Sequence, residues 1–80
     1  MSERSRRRTQ LKPGAVRELI EKTPSLALEH DRMTDQGCGL PRVTLIRARS
    51  GLATIRATWW KSLKNGSVSH RVILRGVATA

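Results

Sequence analysis

Two adjacent tryptophans, Trp59 and Trp60, are the only large aromatic rings in this sequence of 80 residues, which has no Phe and no Tyr. A chain of that length allows one domain and buries only about 60% of the surface it exposes when unfolded. Its core must therefore come from Leu, Ile, Val and Ala around at most one of the two rings. Successive side chains of a strand point to opposite faces. A tryptophan pair in a strand thus supplies one ring to the interior and one to the surface. Domains with so little to bury commonly add a disulfide, a metal or a second subunit. Cys38 stands alone, which excludes an internal disulfide and fits a reducing compartment better than a secreted disulfide scaffold. Self-association is the remedy left, and a homodimer is favoured over a monomer.

The period of the apolar residues changes once along the chain. From Pro13, Val16, Leu19 and Ile20 fall on one helical face, while Arg17–Glu21 and Glu18–Lys22 form i,i+4 pairs on the other. This predicts a helix over Pro13–Lys22. Thr23 as N-cap and Pro24 in the first turn start a second helix, over Pro24–Asp35, with Leu26, His30 and Met33 sharing a face; Gly37 and Gly39 stop it. From Leu40 the period is two, and three strands are expected over 42–49, 52–61 and 67–77. Ser50-Gly51 and Lys64-Asn65-Gly66 separate them, and Asn-Gly between β-prone runs is a strong hairpin signal. The fold class is α+β: two short N-terminal helices packed on a three-stranded antiparallel β-meander. Residues 13–80 form the single small domain, preceded by a disordered basic arm, residues 1–12.

Charge narrows the function. Residues 1–12 sum to +4 and residues 13–36 to −2; residues 37–80 carry eight basic side chains and no carboxylate, for +8. A surface shaped only for solubility mixes both signs. A segment of one sign needs its counter-charge from outside the chain. Alternation gathers much of that charge. In the second strand Ala53, Ile55, Ala57 and Trp59 oppose Thr54, Arg56, Thr58 and Trp60. In the third, Val68, His70, Val72 and Leu74 oppose Ser69, Arg71 and Arg75. In the first, Ile46 and Ala48 oppose Arg47 and Arg49. One face then holds Arg47, Arg49, Arg56, Arg71 and Arg75 with Trp60, Thr54, Thr58 and Ser69. Val43 and Leu45 break this parity, which points to a late start of the first strand, a bulge, or cover at its beginning.

Arginine dominates the two basic regions, where the only lysines are Lys12, Lys61 and Lys64. Guanidinium forks bind phosphate oxygens bidentately and stack on bases. An exposed Trp60 adds a stacking platform, and hydroxyls add neutral phosphate donors. The candidate nucleic-acid-binding residues are Arg4, Arg6, Arg7 and Arg8 of the arm with Arg47, Arg49, Arg56, Trp60, Lys61, Lys64, Arg71 and Arg75. The plain alternative is that the arginines keep a sheet face soluble, Trp60 packs in an interface, and the arm is a solvated tail.

Other chemistry is poorly supported. His30, His70 and Cys38 lack the paired spacing of a metal site, and no Gly-rich phosphate loop occurs. No cofactor is expected. His70 falls on the apolar face, where a hydrogen-bonded core histidine is the ordinary reading. Cys38, between two glycines, is expected to be flexible and exposed. The five acids of the helical region suggest a solvated face that could also repel nucleic acid from the wrong side. No apolar run is long enough for a membrane helix, and Arg4–Arg8 is followed by no apolar stretch of a signal peptide; a cytoplasmic location is expected. The leading function is a non-enzymatic, regulatory nucleic-acid-binding protein. An inhibitor or adaptor docking an acidic protein surface comes second. A small ribonuclease using His70 comes third. The acidic second helix argues against groove insertion by a recognition helix, and a sheet with a flexible arm suits single strands or RNA better.

Overall fold

The computed structural model describes residues 9–78; Arg4, Arg6, Arg7 and Arg8 lie outside them. Helices α1 (Pro13–Lys22) and α2 (Pro24–Asp35) fall where the apolar spacing places them. A proline opens each, as suits a position whose N–H has no partner within the helix. Thr23 occupies the N-cap position of α2 with extended backbone, but its hydroxyl makes no capping hydrogen bond. Thr23 is buried, and its carbonyl accepts from the Ala27 N–H at 2.9 Å. Pro24, rather than the cap side chain, fixes that start.

The end of α2 corrects the expectation for Cys38. Gly37 sits at φ 95°, its N–H donates to the Thr34 carbonyl, and the Cys38 N–H donates to the Met33 carbonyl at 3.0 Å. This is a Schellman closure, which brings the residue after the left-handed glycine onto the last turn of the helix. Met33 and Cys38 are both buried in the core. Flanking glycines therefore mark a tight cap, and the thiol is inside.

The sheet has four strands rather than three, all antiparallel in the order β1 (Thr9–Gln10), β2 (Arg42–Arg49), β3 (Leu52–Leu63), β4 (Gly66–Ala78). Two polar residues give no periodic signal of their own. Thr9 and Gln10 pair with Leu45 and Thr44 because the Leu11 N–H bonds the Val43 carbonyl at 2.9 Å and its side chain packs against the core. Ser50 and Gly51, at φ 55° and 80°, form the two-residue turn between β2 and β3. That pair of positive φ angles matches the right-handed twist of the strands it joins. The second hairpin turns at Lys64–Asn65, with Gly66 already paired to Leu63, so Asn-Gly is not itself the loop.

Two bulges set the register. Leu45 pairs with Ile55 and Arg47 with Thr54, leaving Ile46 extra in β2. Ile55 pairs with Leu74 and Ala53 with Val77, leaving one extra residue in β4, where Gly76 takes φ 71°. Both flank Thr54–Ile55 of β3 and shift the face of everything beyond them by one residue. Val43 and Leu45 therefore point to the helices, as does Val77. The interior lies between the helices and this sheet face: Val16, Leu26, Val43, Ile55, Ala57 and Trp59 are essentially inaccessible. Leu11, Leu19, Ile20, Leu45, Val72 and Leu74 close its margin.

Candidate nucleic-acid interface

Register fixes which side chains share the outer face of the sheet, the one away from the helices. Three cross-strand rows run β2–β3–β4: Arg42–Thr58–Arg71, Thr44–Arg56–Ile73, and Arg49–Leu52–Ala78. Between the second and third lies Arg47 opposite Thr54, with Arg75 on the same side next to the β4 bulge. The face thus brings together Arg47, Arg49, Arg56, Arg71 and Arg75, as alternation requires. Arg42 joins them, a residue the sequence reading left out because it placed the apolar parity of the first strand after Leu45 rather than before it. The signal was present: Leu45 and Ile46 are consecutive apolar residues across which the apolar parity switches.

Among the described residues, no carboxylate reaches these arginines. The ion pairs there are Arg32–Glu29 and His70–Glu29, both at 3.1 Å and both on the helix side. Glu18, Glu21, Asp31 and Asp35 are exposed on α1 and α2, in the layer opposite the arginine face. The helices, with five acids against Arg17, Lys22 and Arg32, are net acidic, whereas the charged side chains described on the outer face are arginines alone.

Trp60 divides from Trp59 as alternation demands. Trp59 is fully buried, and its indole N–H donates to Nδ1 of His30 at 3.1 Å, the partner a buried ring nitrogen needs. His70 lies on its other flank, ring centroids 6.0 Å apart, with Nε2 3.1 Å from Oε1 of Glu29. His70 is thus a half-buried residue of the helix side, on the opposite face from the arginines. Trp60 is 42% exposed on the outer face. The Arg42 guanidinium carbon sits 4.7 Å from its ring centroid, a cation–π arrangement that covers one side of the ring expected to be open for stacking.

Two predicted site residues stand apart from this face. Lys61 follows Trp60 in β3 and points to the helix side; its Cε would lie 3.7 Å from a Cβ placed at Gly37. There its charge lies beside the carboxyl end of α2, where a cation is favoured. Lys64 is in the turn at the far tip of the β3–β4 hairpin. Every residue of that hairpin from Trp60 to Ser69 is exposed, and past Lys61 and Val68, which border the end of α2, it leaves the helix layer. Leu63 and Val68 are about half exposed among them.

Comparison with protein-family models finds no match for this chain. Comparison with curated proteins and with solved structures finds none either. Among the described residues, no helix is long and apolar enough to cross a membrane.

Proposed function

We propose that this protein is a non-enzymatic, nucleic-acid-binding regulatory protein of the cytoplasm that meets the phosphate backbone with the outer face of its sheet. One observation carries the reading. Six arginines (Arg42, Arg47, Arg49, Arg56, Arg71 and Arg75) share that face, while no described carboxylate pairs with them and the acids line the opposite layer. Like charges held this close on a fixed surface repel one another, and a polyanion relieves that repulsion. Arginine suits the task because its fork matches two phosphate oxygens at once. The acidic helix layer disfavours approach from the other side and so orients the complex. Arg4, Arg6, Arg7 and Arg8 add four further positive charges to the chain.

The test is a titration of single- and double-stranded DNA and RNA at two salt concentrations, with Arg56→Ala and Trp60→Ala alongside. Six phosphate contacts to duplex DNA give a slope of log K against log salt of about −5, from about 0.9 per contact. Arg56→Ala is expected to weaken every polymer and flatten the slope by about 0.9. Binding untouched by Arg56→Ala would remove the sheet face from the site. Weak, sequence-independent nucleic-acid binding beside a tight 1:1 complex with an acidic protein would move the function to an inhibitor or adaptor.

A further inference from the structure

The arginine face does not say which polyanion it meets; the hairpin beyond it does. We infer, on the reading that the outer face binds nucleic acid, that the projecting β3–β4 ribbon enters the major groove of duplex DNA while the arginines straddle the flanking phosphates.

Width separates the two parts of the sheet. Where all four strands are present, their axes span about 14 Å at roughly 4.8 Å per step. The major groove of B-form DNA is about 12 Å wide and about 8.5 Å deep, and it admits a two-stranded ribbon. The broad part therefore cannot enter and must lie across the groove. β2 begins at Arg42, which pairs with Thr58, so beyond that row β3 is paired with β4 alone. Lys61 and Val68 still border a cleft with Met33, Gln36 and Cys38 at the end of α2, and two cross-strand pairs follow beyond it: Ser62 with Ser67, and Leu63 with Gly66. At about 3.4 Å per residue they project about 7 Å before the turn, and the side chains of Lys64 and Asn65 at the tip extend that reach toward the groove floor.

The ribbon has the chemistry for that position. Its outer face, continuous with the arginines, presents Trp60, Ser62, Ser67 and Ser69; hydroxyls both donate and accept and so serve any base edge. Lys64 and Asn65 form the tip, and no acid occurs from Leu52 to Ala78. An isolated two-stranded hairpin is at best marginally stable in water. This one leaves Leu63 and Val68 about half exposed. Charge complementarity selects the occupant. The A-form RNA duplex is a poor fit, since its major groove is deep and too narrow for side chains to read. Single strands offer no groove, and the one aromatic platform, Trp60, is already stacked under Arg42.

The experiment compares the full-length protein on a duplex DNA, the RNA duplex of the same sequence, and single-stranded DNA, at one fixed salt concentration. It adds duplex DNA methylated at guanine N7, which blocks the major groove alone, and the variants Lys64→Glu and Ser62→Val/Ser67→Val, checked for folding by circular dichroism. Duplex DNA is expected to bind about tenfold more tightly than duplex RNA, and N7 methylation to weaken binding by a similar factor. Lys64→Glu should weaken duplex DNA about tenfold more than single strands, because only the groove brings the tip between two backbones. Ser62→Val/Ser67→Val introduces β-favouring residues that cannot hydrogen-bond and should reduce the effect of N7 methylation. Equal binding of the two duplexes, no effect of N7 methylation, or losses from Lys64→Glu that are the same on all polymers would overturn the ribbon's role. In that case Arg56→Ala would still weaken every polymer. If nothing binds, or Arg56→Ala is also without effect, the sheet-face reading fails with it.

Discussion

The two faces of β2, β3 and β4 are made by the same strands yet obey opposite rules. The helix side holds Val43, Ile55, Ala57 and Trp59, almost inaccessible to solvent, and its polar atoms are paired: the Trp59 indole with His30, His70 with Glu29. The outer side holds six arginines with no described carboxylate partner and leaves Ile73 and Leu52 about half exposed. A side-chain period of two lets one short chain assign stability to one set of residues and charge to the other. The bulges at Ile46 and beside Gly76 preserve that division along the full strands, because each returns the apolar set to the helices after the parity has slipped.

Stability is expected to fall steeply for helix-side substitutions and hardly at all for outer ones. The largest effect is expected for Trp59→Ala, at about 3–5 kcal/mol in urea unfolding, enough to unfold a domain of this size under ordinary conditions. A loss below 1 kcal/mol would mean the ring is not the centre of the core. Replacing His30 with leucine keeps a side chain of similar bulk but strips the Trp59 indole N–H of its acceptor, and about 1–3 kcal/mol should go. Gly37→Ala meets no steric obstacle beyond the Lys61 Cε at 3.7 Å. Its cost, about 1–2 kcal/mol in thermal unfolding, comes from a left-handed backbone that alanine resists. Arg42→Ala should cost about 0.5–1 kcal/mol through loss of the stack on Trp60, visible as a change in tryptophan fluorescence. The smallest effect on folding belongs to Arg71→Ala, within about 0.5 kcal/mol. The same substitution should remove about 0.9 from the salt slope of duplex binding. An outer arginine that proved as costly to folding as Trp59 would erase the contrast between the faces.

Much of this was legible in the residues. Val16, Leu19 and Ile20 place α1, and Pro24 with Leu26 and Met33 places α2, at bounds the structure reproduces. Trp59 and Trp60 divide as alternation requires. Arg47, Arg49, Arg56, Arg71 and Arg75 share a face for the same reason. Three features were hidden. Thr9–Gln10 become a strand through pairing with a distant segment, which leaves no local trace. Cys38 is buried because the cap at Gly37 folds it back onto Met33, whereas glycine neighbours alone suggest freedom. Arg42 joins the arginine face because the bulge at Ile46 reverses the parity of β2 before it, which nothing local to Arg42 announces.

By itself the sequence determined the local periods, the positions of the turns and the one-signed stretch from Gly37 onward, because these depend on side-chain chemistry and spacing along the chain. Tertiary structure alone decided the register. A bulge moves every following side chain to the other face, and whether it forms depends on which parity the helices will bury. That packing turned Val43 and Leu45 inward, brought Arg42 beside Trp60, and left the β3–β4 ribbon projecting past the end of α2.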